Sequence, residues 1–287
     1  MSIATTERIF RYIKTIKTLS LAAVCLVAGS PCFAKQQVQS FLQNSETASD
    51  AAQCYFIPPE GWEIADPKTY TSHVQIAFLK RTNKGFFPSI NLAIEETQAT
   101  LSDYLKAVKA IHEQDRNNHW RALGKVQTAA GLAQLTEIDS TIEIGPIRLL
   151  QLILIKEGRA YVLTAAALKE EFSTYYKNFQ TAFRSLTLST DLLGNIPQLE
   201  RRENLKNRYQ QLLTAGASLE NANPFEDPVF QEAQWAPFQQ SVIDNFADMG
   251  AFWQVLFLKN TQEKLLSLPH LEPQQESDRQ NSPTKIQ

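Results

Sequence analysis

Hydrophobic positions alternate with polar ones in some stretches of this chain and recur every three or four residues in others. The switches between the two periods mark out its elements. Val74, Ile76 and Phe78 alternate with polar or small neighbours, as do Ile90, Leu92 and Ile94. A period of two predicts strands with one face buried and one partly wet. Asn83-Lys84-Gly85 supplies the turn between them. From Leu101 the period changes. Leu101, Tyr104, Leu105, Val108, Ile111 and His112 share one helical stripe, with Thr100 placed to cap it and Asp103 three residues on. Four strands follow, at roughly 119–127, 132–138, 147–156 and 159–166. The third carries Leu150, Leu152 and Leu154 on one face and Leu149, Ile153 and Ile155 on the other. Such a strand is central and covered on both sides. Glu157-Gly158 reads as the tight turn out of it. Phe172, Tyr175, Tyr176, Phe179 and Phe183 then hold helical spacing, an aromatic stripe suited to packing on a sheet.

The flanks are different in character. A first strand, Gln53-Cys54-Tyr55-Phe56-Ile57, stops at the rigid turn Pro58-Pro59-Glu60-Gly61-Trp62. Past Ser189, Gly194 and Pro197 mark a boundary. A helix with Leu205, Tyr209, Leu212 and Leu213 on one face follows, and residues 221–228 break it. Pro237 fits the first turn of a further helix carrying Phe238, Val242, Phe246, Met249, Trp253 and Leu256. Residues 35–50 form a polar leader, and from Pro269 on the composition predicts a disordered tail.

The first 34 residues read as an export signal. Arg8, Arg11, Lys14 and Lys17 stand against the single acid Glu7, and the apolar run Leu19 to Ala28 leads to Ala34 as cleavage site. That run is too short to cross a bilayer, and no later segment reaches transmembrane length. Cys25 and Cys32 keep a lipoprotein reading open beside plain cleavage. Removing residues 1–34 leaves 24 Lys and Arg against 29 Asp and Glu, a net charge of −5. A chain of that charge offers no basic footprint for nucleic acid. Cys54 alone remains after cleavage, so no internal disulfide forms, and it reads as a small apolar residue opening a strand.

Motifs that carry chemistry are missing. Glycines occur without a G-x-G-x-x-G or phosphate loop, no serine lies in G-x-S-x-G, and the mature histidines His73, His112, His119 and His270 have no zinc-ligand spacing. Glu95 and Glu96 end a strand and point to opposite faces, so they make no acid/base pair. No cofactor or metal is expected. One segment invites a functional reading. Residues 251–258 are apolar almost all round, and Phe252, Trp253, Leu256 and Phe257 are candidates for a partner-binding surface, unless the segment packs back on the chain. Asp244 and Asp248 precede it where a membrane-surface helix would want Lys or Arg, which favours a protein partner over lipid.

The serial order, together with Phe56-Ile57-Pro58-Pro59-Glu60-Gly61-Trp62, Thr100-Leu101-Ser102-Asp103-Tyr104, Gly158-Arg159-Ala160-Tyr161-Val162-Leu163-Thr164 and residues 172–185, resembles the PsbP-like fold. Bacterial envelope proteins of the DcrB and LpqN type share that fold. The resemblance covers about residues 51–188. It implies an α+β domain, an antiparallel sheet with helices on both faces in an α/β/α sandwich. It implies no catalytic set and transfers no site, since these families are mainly binding, assembly and accessory proteins. The organisation expected is therefore a signal peptide (1–34), a leader (35–50), the PsbP-like domain (51–188), a helical extension (189–268) and a tail (269–287). The functional expectation is a non-catalytic exported protein of the periplasm or cell envelope that works through an envelope protein partner, with peripheral membrane association left open. Two alternatives stand beside it: an exported hydrolase of unfamiliar type, and a secreted effector.

Overall fold

The computed structural model describes residues 53–71, 73–219 and 223–268. The expected signal peptide with Cys25 and Cys32, the leader, and the tail with His270 lie outside the described residues. The described chain divides into two compact units, one of residues 53–190 and 250–255, the other of residues 191–249 and 256–268.

In the first unit the alternating stretches become nine strands: β1 (Gln53–Tyr55), β2 (Glu63–Ile64), β3 (Val74–Leu79), β4 (Ser89–Glu96), β5 (His119–Thr128), β6 (Gly131–Ile142), β7 (Gly145–Lys156), β8 (Arg159–Leu168) and β9 (Thr187–Ser189). Seven form one antiparallel sheet in the order β2-β3-β4-β8-β7-β6-β5. β1 pairs instead with β9, in a separate two-stranded ladder. The β7–β8 turn has two residues, Glu157 at φ 53° and Gly158 at φ 74°, between the paired Lys156 and Arg159. Two positive φ values in succession give the twist that a tight hairpin needs.

Helix α1 (Leu101–His112) covers one end of one sheet face. Its Tyr104, Val108 and Ile111 pack on Ala93, Ile153, Ala160 and Val162. Thr100 caps it as the spacing predicts, accepting the Asp103 N–H at 3.2 Å and donating its hydroxyl to the Asp103 carboxylate at 2.9 Å. At the other end of that face Phe86, Ile138, Ile147, Leu149, Ala166 and Leu168 form a second apolar cluster. The opposite face receives α2 (Phe172–Arg184). Phe172 lies under the Arg148 guanidinium, and Phe179 meets Trp62 edge-on at 5.8 Å. The fold is thus α+β, an antiparallel sheet with helices on both faces.

One expectation fails at β4. Its polar positions were expected to be partly wet, yet Ser89, Asn91 and Glu95 are buried. β4 lies third in the sheet, and the face these residues share is the one α1 packs on.

The second unit is helical: α3 (Leu199–Ala217), α4 (Ala236–Asn245) and α5 (Ala251–Leu266), whose first turn belongs to the first unit. Tyr209 and Phe238 pack on Phe257, and Gly216 lets Leu265 come close, since a Cβ there would stand 2.7 Å from its Cδ2. Arg201 grips Asp248 through both terminal nitrogens, at 2.7 and 3.0 Å, and lies over the Phe246 ring.

Two helix boundaries differ from the sequence expectation. Helical structure begins at Pro228, capped by Asp227, and reaches α4 through a π-helical turn, Gln231–Trp235. A proline inside an α-helix lacks an N–H and clashes with the preceding turn, and the wider π turn just before Pro237 accommodates both defects. Further on, the single helix expected through Phe238, Met249 and Leu256 is broken between α4 and α5. Gly250, at φ +84°, forms the break.

Candidate functional site

β5 stands at one end of the large sheet and pairs on one side only, with β6. Among the described residues no strand pairs with its outer side. The opposite edge, β2, is two residues long, so it offers little. β5 has ten residues, and His119, Arg121, Ala122, Leu123, Gly124, Lys125 and Gln127 are exposed. The pairing shifts between Ala122 and Gly124, a bulge at which Gly124 takes φ +114° and Leu123 is 45% exposed. An unpaired edge presents a row of backbone donors and acceptors, and bulges and charges are the usual means of restricting what pairs there.

A charge ladder holds the inner side of β5 in register. Arg121 pairs with Glu137, directly opposite on β6, and Glu137 lies 3.5 Å from Arg148 on β7. Arg148 grips Asp139 through two nitrogens at 2.6 and 2.8 Å, and Lys169 reaches the same carboxylate at 2.8 Å. The hydrogen bonds from Arg148 hold the Asp139 carboxyl down at about 2, with Lys169 adding to the effect against the cost of burial. Opposite charges placed directly across strands stabilise a pairing register by about 0.2–1 kcal/mol each. The ladder therefore fixes β5 as a defined edge.

The apolar run singled out in the sequence is placed elsewhere. Phe252 is 2% exposed and packs on Phe56 and Phe78 in the first unit. Trp253 is fully buried, and Phe257 is buried against Tyr209 and Phe238 in the second unit. Leu256 is partly covered. In this conformation Phe252, Trp253 and Phe257 are occupied by the chain itself. Their apolar character is spent on packing.

Glu95, set aside in the sequence as half of an acid/base pair with Glu96, is a buried titratable group. It sits on the same face as Ala93, beneath α1, and accepts a hydrogen bond from the Tyr104 hydroxyl. Burial raises its carboxyl above the usual range, while the Tyr104 hydrogen bond and nearby His73 pull the other way. His73 itself has φ 77°, a backbone region that costs a non-glycine residue energy. His112, at the end of α1, is buried, and burial pulls its imidazole down to about 4. Cys54 is buried too, which pushes its thiol up and leaves it unreactive.

No family model and no curated protein matches the chain. Solved structures do. LpqN of Mycobacterium tuberculosis, described as involved in cell envelope biogenesis, is similar with a TM-score of 0.37 and 12% identity, over 51% of this chain and 87% of LpqN. Cyanobacterial PsbP (CyanoP) of Synechocystis sp. PCC 6803 is similar with a TM-score of 0.36 and 14% identity, over 50% of this chain and 96% of CyanoP. A Pseudomonas aeruginosa protein of unknown function is similar with a TM-score of 0.31 and 12% identity, over 50% of this chain and 86% of that protein. In the described residues no helix is long and apolar enough to cross a membrane.

Proposed function

We propose that this chain is a non-catalytic exported protein of the cell envelope, a binding or assembly module, and that its protein partner adds a strand to β5. The observation that carries the reading is the free edge: ten residues, largely exposed and held in register from behind. Strand addition gives affinity through backbone hydrogen bonds and takes specificity from the side chains on either face. Beyond the Arg121–Glu137 pair, Lys125 leaves this edge with a positive charge on a chain that is acidic as a whole. Two copies of a basic edge repel each other, whereas an extended segment bearing Asp or Glu is attracted. The partner segment is therefore acidic. Export is supported by the charge and hydropathy pattern of residues 1–34.

The test places a photo-crosslinking residue at Leu123, or at the exposed Val229 of the second unit, in chains expressed in native envelopes. The reading expects one discrete adduct from position 123, lost when Lys125 and Arg121 are replaced by Glu. An adduct from position 229 alone, or none from 123, contradicts it.

A second reading, an exported hydrolase, draws on the raised carboxyl of Glu95. Glu95→Gln separates the two. The hydrolase reading requires loss of a measured turnover, and the binding reading requires the adduct from Leu123 to persist.

A further inference from the structure

A row of buried polar side chains crosses the sheet on the face that carries α1. Asn91 on β4, Thr164 on β8, Gln151 on β7 and Thr136 on β6 stand opposite one another in succession, and Ala122 on β5 ends the row. All four polar residues are buried, Gln151 to 5% exposure, while Ala122 is exposed. Apolar clusters flank the row, the α1 cluster on one side and the Phe86 cluster on the other. Within it the polar groups are loosely paired. Gln151 Nε2 donates to Thr164 Oγ1 at 3.4 Å, and Thr136 Oγ1 donates to the Gln151 backbone carbonyl at 3.5 Å. Gln151 Oε1 has no hydrogen-bond partner among the described residues. Rotating the amide would exchange this orphan for an N–H, not remove it.

Trp120, on the edge strand, packs against both of the apolar clusters that flank the polar row. Its Nε1 is also buried without a partner among the described residues. A donor and an acceptor are thus held bare on one face, although a leucine at 151 would fill the same space without leaving a polar group unsatisfied. Buried groups left unpaired call for an explanation, and a bound partner is one. The row itself, Asn91, Thr164, Gln151, Thr136 and Ala122, holds no charged side chain; the charged residues of this face, Glu95 beneath α1 and Lys125 opposite Gln134, stand outside it.

We propose that this face binds a small, uncharged, planar molecule that offers one acceptor and one donor, such as an aromatic amide or a nucleobase-like heterocycle. Trp120 Nε1 donates to it, the Gln151 amide head completes its hydrogen bonding, and the indole covers it. The small exposed Ala122 marks the side of entry. The absence of charge within the row selects against acids and amines, whose desolvation nothing in the row offsets. This inference does not rest on the strand-addition reading.

The test uses the chain from residue 35 onward with ¹⁵N-labelled indoles. Its tryptophans Trp62, Trp120, Trp235 and Trp253 give four side-chain resonances, and Trp120→Phe assigns one of them. Nicotinamide and uracil are the probes, with toluene as an apolar control. The expected result is a saturable shift of the Trp120 resonance with at least one polar probe and none with toluene. Gln151→Leu should keep the fold and weaken that probe by about tenfold, the worth of one hydrogen bond. A shift unchanged in Gln151→Leu overturns the proposal. So does a Trp120 resonance that ignores both polar probes and shows only exchange with a bound water, which would be the sole partner of the two groups.

Discussion

Phe252 stands edge-on to Phe56, with ring centroids 5.5 Å apart and planes at 72°, and both rings meet Phe78 on β3. Three aromatics so arranged bury a large apolar area in favourable edge geometry. Truncating one leaves a cavity that the sheet cannot close. Phe252→Ala is therefore expected to cost about 3–5 kcal/mol in denaturant unfolding. A surface docking residue would cost close to nothing, so the same experiment decides whether Phe252 belongs to the interior or to an interface.

Gly250 is required by both conformation and space. Its φ is +84°, and a Cβ would stand 3.2 Å from Pro58 Cδ and 3.4 Å from the Ile57 Cα. Gly250→Ala should lose about 1–2 kcal/mol from the left-handed backbone alone. The crowding against Ile57 and Pro58 adds to that loss. Gly124→Ala is the control at similar φ, because nothing lies within 4 Å of its Cβ position. Thermal unfolding should rank the Gly250 variant below it.

His112 makes stability pH-dependent. Its imidazole titrates near 4 in the folded chain and near 6.5 when unfolded. Between those values the unfolded chain binds the extra proton, so stability falls as pH drops from 6.5 toward 4. The full effect is of order 3 kcal/mol for a shift of this size. His112→Gln should flatten that limb of the pH–stability curve. An unchanged slope would place the loss in other groups.

Glu95 works in the opposite direction. Its folded carboxyl titrates above the unfolded one, so the unfolded chain ionises first and stability falls as pH rises through that window. Gln can still accept from the Tyr104 hydroxyl without paying to bury a charge. Glu95→Gln should therefore raise the Tm at neutral pH and converge with the parent below the usual carboxylate range. A Tm lowered at neutral pH would mean the charge itself holds α1 in place.

Much of the fold was legible because local pattern and tertiary burial agree. The Leu149–Ile155 run reads as a central strand and lies third from the β5 edge. Thr100 and Asp103 cap α1 as their spacing predicts. What was hidden depends on neighbours that no window contains. Ser89, Asn91 and Glu95 look half-wet in alternation, yet the face they occupy is enclosed. β9 is too short to show a period, and nothing local says that the expected first strand, β1, pairs with it in a ladder of its own. The run at 251–258 is apolar for packing, which composition does not distinguish from docking. The β5 edge did leave a trace: Arg121, Gly124 and Lys125 are poor choices for a central strand and suit an edge. Gln151 left none, because a single glutamine in an apolar strand shows its orphaned oxygen only once its neighbours are in place.

The central claim is that a partner strand lies along β5. The most direct measurement is amide hydrogen exchange on the crosslink-identified complex and on the free chain. The account predicts that amides of His119–Thr128 on the outer side exchange quickly in the free chain and become protected on binding, while the second unit is unchanged. Protection confined to residues 191–249, or none in β5, would contradict it.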